Sequence, residues 1–490
     1  MSQSLRAAAA NPIKFGTDGW RGVIAADFTI ERVARVAPLA AEALAQEFGA
    51  STGSRTILVG YDRRFMAEDF ARVAAEAIQA IGYRVKLSDC YAPTPVFSWI
   101  AHHEQALGAI VLTASHNPGR YLGLKVKGAF GGSVSPEVTQ KIETMLAAET
   151  VPAEVEHPEP IESFNPWESG YCEALRQFVD LAAIRAAIAD GKLAVFVDAM
   201  HGASAGGLSK VLDVAVQELN TNRDPLFEGG APEPLPKYTT RSIAQIRDHQ
   251  QAHPDQLAVG LVFDGDCDRI AAIDGSGEFL TSQILIPILI QHLAVVREQT
   301  GEVVKTVSGS DLMPKVAALY QLPVHETAVG YKYIADRMLS VPVLIGGEES
   351  GGVGYGNHIP ERDALLSALY VLEAVVKAGK SLNELYGDLQ TKTNFFNAYD
   401  RIDLALASMA ARDRLLGQLQ TNPPQTIAGQ AVTHCQTTDG YKFRLTSGDW
   451  LMVRFSGTEP VLRLYCEAVT LDRVHEILEW ARQWAEAAAA

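Results

Sequence analysis

The chain has 490 residues, of which 47% are hydrophobic and 20% are charged, and its formal net charge at pH 7 is −16. This length is too great for a single hydrophobic core, so we expect three or four domains. The acidic balance argues against a nucleic-acid partner, and the most apolar stretch, from Ile284 to Val296, is too short and too polar to cross a membrane.

Residues 1–156 are predicted to form a first α/β domain, because short apolar runs alternate with segments of helical period. The predicted elements are, in order, strand Thr56–Tyr61, helix Ala67–Ile81, strand Arg84–Leu87, strand Gly108–Thr113 and helix Pro136–Ala148. A stretch rich in proline and glutamate, from Val151 to Ser163, is predicted to be a linker to the next domain.

The loop that follows strand Gly108–Thr113 contains Ser115 and His116 and turns at an Asn-Pro pair. Ligands of open α/β sheets bind just beyond strand ends, which makes Ser115 a candidate functional residue. A lone serine in such a loop more often only caps a turn, so this assignment depends on other motifs. At the end of an earlier strand, Arg64 is predicted either to hold this loop or to be solvated beside it.

Residues 157–276 are predicted to form a second α/β domain that ends in an acidic loop. Its predicted elements are helix Trp167–Asp190, strand Leu193–Asp198, a small-residue turn at Met200–Gly207 and strand Leu257–Phe263. The acidic loop has the sequence Asp264-Gly265-Asp266-Cys267-Asp268-Arg269.

Alternating carboxylates on a tight loop direct several hard oxygens to one point, which suits Mg²⁺. The loop is not an EF-hand, since Arg269 and Gly275 occupy the sixth and twelfth places. A solvated acidic turn is the alternative. Against it, clustered carboxylates repel one another and a divalent cation relieves that repulsion.

Residues 277–390 are predicted to form a third α/β domain. Its predicted elements are a buried helix at Ile284–Val296, strand Val303–Val307, helix Leu312–Tyr320, strand Val324–Thr327 and a helix that begins at Gly330-Tyr331-Lys332. Glu348 and Ser350 lie in a later loop, where a carboxylate and a hydroxyl suit the hydroxyl groups of a sugar. The chain has neither the G-x-G-x-x-G spacing of a dinucleotide site nor the P-loop motif of many kinases.

Residues 391–490 show closely spaced strands instead of alternating strands and helices, and they are predicted to form a smaller α+β domain. Its predicted elements are strands Ala431–Gln436, Lys442–Thr446, Trp450–Phe455 and Leu462–Ala468 and helix Leu471–Ala487. The loop Arg454–Pro460 combines arginine, hydroxyls and a glycine, which is what phosphate oxygens need. Because phosphate is anionic and the chain is acidic, we expect arginines to be gathered at the cleft.

The N-terminus lacks the apolar segment of a signal peptide, and the five cysteines contain no CxxC pair. Both observations favour a protein of the reducing cytoplasm.

The four motifs, in this order, closely resemble those of the α-D-phosphohexomutases. The match extends from Phe15-Gly16-Thr17-Asp18-Gly19-Trp20-Arg21-Gly22 to Arg463, although Asp18 stands where serine is more common. The resemblance implies three similar α/β domains with mixed sheets and a smaller α+β C-terminal lid domain around a central cleft.

The resemblance also implies residue roles. In that family a serine carries a phosphoryl group and a lysine moves protons. The implied catalytic residues are Ser115, His116, Lys125 and Arg21, and the implied Mg²⁺ ligands are Ser115, Asp264, Asp266 and Asp268. The implied substrate-binding residues are Arg269, Gly330, Lys332, Glu348, Ser350, Arg454, Ser456, Gly457, Thr458 and Arg463.

The implied reaction interconverts hexose 1-phosphate and hexose 6-phosphate through a phosphoserine and a hexose 1,6-bisphosphate. Glu349 between Glu348 and Ser350 resembles the glucose-specific enzymes, so glucose phosphate is the predicted substrate, ahead of mannose and glucosamine phosphates. Glucose 1,6-bisphosphate is the predicted activator, and a monomer or homodimer is expected. The alternatives are a synthase that releases the bisphosphate and a non-catalytic binding protein.

Overall fold

The computed structural model describes residues 12–16, 18–455 and 460–489, and the chain forms three α/β domains and a smaller α+β C-terminal domain arranged around a cleft. In the first domain the strands are β1 Phe15–Gly16, β2 Gly19–Val23, β3 Thr56–Tyr61, β4 Arg84–Ser88, β5 Gly108–Leu112, β6 Tyr121–Gly128 and β7 Glu162–Phe164. The helices are α1 Ile30–Thr52, α2 Ala67–Ala80, α3 Thr94–His103 and α4 Pro136–Ala147.

The sheet of the first domain has the strand order β1-β2-β6-β5-β3-β4-β7. Strands β5, β3, β4 and β7 are parallel, whereas β6 and β2 run antiparallel to their neighbours, so the sheet is mixed as expected. Strand β5 is buried along its whole length. It therefore delivers the loop that contains Ser115 at a fixed point beyond the carboxyl edge of the sheet.

In the second domain the strands are β8 Leu193–Asp198, β9 Gln217–Leu219, β10 Leu257–Phe263, β11 Ile270–Asp274 and β12 Phe279–Leu280. The helices are α5 Tyr171–Arg176, α6 Leu181–Ala189, α7 Gly207–Leu212 and α8 Thr240–Ala252. The sheet order is β12-β11-β10-β8-β9, with β10 parallel to β8 and antiparallel to β11. The acidic loop is the tight connection between β10 and β11.

Two sequence predictions at this boundary are wrong. The single helix Trp167–Asp190 is instead a short 3-10 turn, Pro166–Glu168, followed by α5 and α6. The break occurs because the Asp180 side chain accepts a hydrogen bond from the Ala183 backbone N–H and so starts a new helix. The predicted linker Val151–Ser163 ends within β7, which pairs in parallel with β4 and extends the first sheet.

In the third domain the strands are β13 Glu302–Thr306, β14 Val324–Thr327, β15 Val343–Gly347 and β16 Val353–Tyr355. The helices are α9 Ser282–Val295, α10 Leu312–Leu319, α11 Tyr331–Ser340, α12 Ala364–Ala378 and α13 Leu382–Thr393. The sheet order is β14-β13-β15-β16, with β16 antiparallel. The loop between β15 and β16 contains Glu348, Glu349 and Ser350, and we call it the sugar loop.

The C-terminal domain has strands β17 Ala398–Ala405, β18 Thr426–Ile427, β19 Gln430–Gln436, β20 Tyr441–Leu445, β21 Trp450–Phe455 and β22 Val461–Ala468 and helices α14 Met409–Thr421 and α15 Leu471–Ala489. The sheet order is β17-β22-β21-β20-β19-β18, and every pairing is antiparallel, which is the arrangement of an α+β domain. This domain has its own apolar core, which includes Phe443, Leu464 and Ile477.

A separate polar contact joins the C-terminal domain to the third domain. Lys442 is fully buried, donates from Nζ to the Val307 carbonyl at 2.8 Å and lies 3.9 Å from the centre of the Trp450 ring. Nearby, Arg444 forms an ion pair with Asp311. Burial, together with the neighbouring Lys305, lowers the pKa of Lys442 to about 7. The ammonium is therefore costly in this interface.

Within the described part of the chain, no helix is long and apolar enough to cross a membrane.

Candidate active site

The cleft between the domains encloses a cavity of about 610 Å³. Its described lining includes eight Lys or Arg side chains and five Asp or Glu side chains, so cations are gathered here as expected for an acidic chain with an anionic ligand. The eight cationic residues are Lys14, Arg21, Arg269, Lys332, Arg362, Arg401, Arg454 and Arg463.

Ser115 is buried, with only 1% of its surface exposed, directly beside His116, which lines the cavity. Its backbone N–H donates to Thr113 Oγ1 at 2.9 Å, and its φ of 51° places it in the left-handed region. Its hydroxyl donates to Asp264 Oδ2 at 2.7 Å, and its Oγ is 3.3 Å from His116 Nδ1. The structure therefore brings the two predicted motifs into direct contact across two domains.

The acidic loop reaches Ser115 because Gly265 has no side chain. A Cβ at this position would overlap the carbonyl oxygen of Ser115. The backbone N–H groups of Asp268 and Arg269 donate to Asp264 Oδ1, at 3.0 and 3.1 Å, and fix the turn. Asp264, Asp266 and Asp268 are all fully buried, and ligand atoms of the three lie within 4.8 Å of one another.

These aspartates fit a divalent cation. Among the residues described, Asp266 Oδ1 and Asp268 Oδ1 are buried without a hydrogen-bond donor. Burial, with repulsion from Asp268 and Asp266, raises the pKa of Asp264 well above its usual value. A cluster of buried, partly unpartnered carboxylate oxygens is the donor set that Mg²⁺ prefers.

Lys125 on β6 is enclosed by carboxylates. Its Nζ lies 2.6 Å from Asp18 Oδ2 and 2.8 Å from both Asp266 Oδ2 and Asp268 Oδ2. Burial alone would lower the pKa of Lys125, but the three carboxylates raise it far above its usual value. Lys125 is therefore an ammonium in this arrangement, and the carboxylates hold its proton tightly.

His116 differs from Lys125 in its charge state. Burial, followed by the nearby cations Arg269 and Arg21, lowers the pKa of His116 well below its usual value. The imidazole is therefore neutral and has a free lone pair on one nitrogen. Arg21 lines the cleft and donates from Nη1 to Asn117 Oδ1, next to His116.

The sugar loop lies beside the acidic loop. Arg269 and Gly352 form an antiparallel backbone bridge, and the Ile270 N–H donates to the Gly351 carbonyl at 3.0 Å. Glu348 and Ser350 both line the cavity, as do Gly330 and Lys332 at the start of α11. Burial raises the pKa of Glu348, although Arg362 opposes the shift.

The C-terminal domain closes the cleft with Arg454 and Arg463, which are paired across β21 and β22. Arg454 Nε forms an ion pair with Asp439 at 2.9 Å, and within the described part of the chain its Nη groups have no hydrogen-bond acceptor. The predicted phosphate contacts Ser456, Gly457 and Thr458 lie outside the described residues.

Sequence reasoning did not assign three residues that the structure places at the site. Asp18 bridges Lys125, Lys127 and Arg362; Arg362 Nη2 lies 2.7 Å from both Asp18 and Asp268. Arg401 on β17 lines the cleft and contacts Glu349. Only Asp18 carried a signal in the sequence, namely its departure from serine.

Comparisons with known proteins match this architecture. Models of the phosphoglucomutase/phosphomannomutase family match along the chain, with α/β/α domain I at residues 12–152, domain II at 169–277, domain III at 281–393 and the C-terminal domain at 405–482.

Similar proteins cover nearly the whole length. A phosphoglucosamine mutase of Limosilactobacillus reuteri is 28% identical over 95% of this chain and 96% of its own. A phosphoglucomutase/phosphomannomutase of Thermococcus kodakarensis is 28% identical over 95% of this chain and 96% of its own. The crystal structure of a Thermus thermophilus protein assigned as a phosphomannomutase superposes with a TM-score of 0.82 at 33% identity, covering 97% of this chain and 100% of that one.

Proposed function

The chain belongs to the phosphoglucomutase/phosphomannomutase family and is a phosphohexomutase, and from this premise we propose that Ser115 carries the phosphoryl group that it exchanges with a hexose phosphate. The observation that supports this role is the hydrogen bond of 2.7 Å from the Ser115 hydroxyl to Asp264, next to His116 in the lining of a cationic cleft. Ser115 is also the serine that the sequence motifs indicate.

In the first half reaction a sugar hydroxyl attacks the phosphorus of phosphoserine, a new O–P bond forms, and the bond from phosphorus to Ser115 Oγ breaks. In the second half reaction Ser115 Oγ attacks the other phosphate of the bisphosphate, and the bond from that phosphorus to the sugar oxygen breaks. One proton passes from the sugar hydroxyl to Ser115 Oγ in the first half reaction, and one passes from the Ser115 hydroxyl to the sugar oxygen in the second. We assign proton transfer to His116, whose Nδ1 lies 3.3 Å from Ser115 Oγ, and to Lys125, the lysine that the family resemblance implies for this role. Arg21 orients the loop and the phosphate.

Asp264, Asp266 and Asp268 would hold Mg²⁺ together with Ser115. The cation would offset negative charge on the transferring phosphoryl group. The distal phosphate is assigned to Arg454 and Arg463, with Ser456, Gly457 and Thr458, and the sugar hydroxyls to Glu348 and Ser350. Arg269, Gly330 and Lys332 complete the proposed substrate contacts.

The identity of the hexose needs revision. Glucose phosphate was predicted because of Glu349, but both carboxylate oxygens of Glu349 accept hydrogen bonds from Arg401. The similar proteins reported above are named phosphoglucosamine mutase, phosphomannomutase and phosphoglucomutase/phosphomannomutase, so glucose appears only together with mannose. We therefore place glucosamine and mannose phosphates ahead of glucose phosphate.

Some expectations from the sequence stay predictions. They are activation by glucose 1,6-bisphosphate, a monomeric or homodimeric state, a cytoplasmic location and domain limits at residues 156, 276 and 390. A synthase that releases the bisphosphate uses the same residues and is the second candidate.

The test is a product time course by phosphorus NMR with purified protein, Mg²⁺ and a trace of glucose 1,6-bisphosphate. The 1-phosphates of glucosamine, mannose and glucose are compared. We expect fast isomerisation of one of the first two, trace bisphosphate, phosphate mapped to Ser115, and loss of turnover in Ser115→Ala but not in Ser169→Ala. Accumulating bisphosphate with slow isomerisation supports the synthase, and a fully active Ser115→Ala variant contradicts the proposal.

A further inference from the structure

Arg64 is fully buried behind the Ser115 loop and does not line the cleft. It lies just beyond the end of β3, which is an inner strand of the first sheet. Its guanidinium lies 4.9 Å from the centre of the Phe227 ring of the second domain. The side chain is thus enclosed by two domains and is far less free than a surface arginine.

The guanidinium donates to four backbone carbonyls of one loop. Nη2 donates to the carbonyls of Ser115 at 2.5 Å and Asn117 at 2.7 Å, and Nη1 donates to those of Pro118 at 3.1 Å and Tyr121 at 3.0 Å. A planar fork of donors can satisfy four converging carbonyls, whereas a lysine ammonium has three donors on a single nitrogen.

Asp62 holds the guanidinium from the other side. Its Oδ2 lies 3.3 Å from Arg64 Nε, and its Oδ1 accepts from the Arg64 backbone N–H at 3.0 Å. The charge of Arg64 is therefore balanced locally, while its Nη groups remain directed at the loop. This geometry fixes the direction of the fork as well as its position.

The loop needs such a restraint because Ser115 has a left-handed φ of 51°. For a residue with a side chain this conformation is unfavourable and persists only where surrounding contacts enforce it. The carbonyl of Ser115 is the group that Arg64 holds most closely, at 2.5 Å. Releasing that carbonyl would allow the peptide to rotate and would move Oγ away from Asp264.

We propose that Arg64 is a positioning residue that sets the Ser115 hydroxyl in line for phosphoryl transfer by clamping the backbone of its loop. Arg64 touches neither substrate nor the reacting atoms. The inference rests on the proposed function of Ser115. The sequence left two roles for Arg64, to hold the Ser115 loop or to be solvated beside it. Because Arg64 is fully buried, the first role is favoured.

The neighbouring Arg63 provides a matched control. It is 7% exposed, donates from Nη1 to the Thr221 carbonyl at 2.7 Å and stacks on Tyr91, so it also joins the first two domains. These contacts lie away from the Ser115 loop. A loss caused only by weaker domain packing would therefore affect Arg63 and Arg64 variants alike.

The experiment compares Arg64→Lys and Arg64→Gly with Arg63→Lys and Arg63→Gly in the full chain. The measurements are the melting temperature, the rate of Ser115 phosphorylation by glucose 1,6-bisphosphate in a single turnover, kcat and KM, and hydrogen exchange of the backbone amides from 113 to 122. We expect Arg64→Lys to reduce the phosphorylation rate and kcat on the order of 100-fold, because a displacement of about 1 Å has that effect, with little change in KM.

Two further results are expected. Amide exchange in the loop should be faster in both Arg64 variants than in the Arg63 variants. Added guanidinium ion should increase the rate of Ser115 phosphorylation about tenfold or more in folded Arg64→Gly, and it should have no such effect in Arg63→Gly. Equal losses at the two positions, or an Arg64→Lys variant with wild-type rate and exchange, would overturn the inference. If the wild type itself is not phosphorylated on Ser115, the proposed function fails, and the exchange comparison still decides whether Arg64 clamps the loop.

Discussion

Arg401 donates from Nη1 to both carboxylate oxygens of Glu349, at 3.3 and 3.1 Å, and the two residues belong to different domains. Arg401 Nη2 also lies 3.4 Å from Glu233 in the second domain. The carboxylate of Glu349 raises the pKa of Arg401 by more than burial lowers it, so the pKa lies above its usual value. One guanidinium therefore joins three domains at the mouth of the cleft, and the middle residue of the sugar loop serves this contact.

Arg401→Gln should weaken closure of the cleft. Because the pair is only partly buried, we expect a moderate effect, about a three- to tenfold rise in KM and more release of bisphosphate per turnover. A double-mutant cycle with Glu349→Gln measures the coupling, and Arg482→Gln on α15 is the surface control. Strictly additive effects of the two substitutions would show that the pair does not couple the domains.

Asp266→Asn should remove most metal binding while the fold survives. The substitution keeps the shape of the side chain but removes one of three carboxylates that share a buried site. We expect Mn²⁺ binding measured by titration calorimetry to weaken on the order of 100-fold, with a parallel loss of turnover. The exposed Asp190→Asn serves as the control, and unchanged affinity in Asp266→Asn would contradict the assignment of the metal site.

Asp18→Asn should destabilise the first domain and slow catalysis. Asp18 lies among Lys125, Lys127 and Arg362, and although burial alone would raise its pKa, these cations lower it well below the usual value. Removing the negative charge leaves buried cations without that partner, which costs about 3–5 kcal/mol of unfolding free energy. Calorimetric melting should show this loss.

Asp213→Asn, which breaks an exposed pair with Arg185, is the control and should lower the free energy of unfolding by less than about 1 kcal/mol. A harmless Asp18→Asn would mean that the cations are held by their other contacts.

Lys442→Met tests the pH dependence of the contact between the third and C-terminal domains. The folded pKa of Lys442 is about 7, below its unfolded value, so between pH 7 and about 10 the unfolded chain binds more protons than the folded one. The wild type should therefore gain stability as pH rises through this window, by at most about 1.4 kcal/mol per pH unit from this group. Lys442→Met should lack that increment.

The melting temperature of Lys442→Met, relative to that of the wild type, should therefore be highest at pH 7 and below. This difference in melting temperature should become smaller toward pH 10. The exposed Lys192→Met controls for loss of a charge. The groups facing Lys442 are Lys305, Asp311, Glu326 and Arg444. If the difference in melting temperature between variant and wild type does not vary with pH, the lowered pKa of Lys442 is contradicted.

Much of the fold was predictable because buried parallel strands appear as uniform apolar runs. Strands β3 and β10 were predicted with their observed bounds, Thr56–Tyr61 and Leu257–Phe263. Strand β6 was missed, since Lys125 and Lys127 interrupt its apolar pattern. Both lysines are buried and face the carboxylates of the site, so the local sequence conflicts with the environment that the tertiary structure provides.

The site was predictable where its residues are contiguous. Ser115-His116 and the three aspartates form short motifs, and the structure brings them within hydrogen-bonding distance. Asp18, Arg362 and Arg401 were not assigned, because each is a single charged residue whose partners lie far away in the chain. Such pairs are formed only by the fold.

The cleft draws its side chains from all four domains, from Lys14 near the start to Arg463 near the end. During synthesis, the serine and its aspartates can meet once the first two domains have emerged, but Arg401, Arg454 and Arg463 follow much later. A nascent chain therefore remains inactive until its final domain has folded and docked. In refolding, secondary structure should return before turnover does, and the delay measures domain docking, which takes milliseconds to minutes.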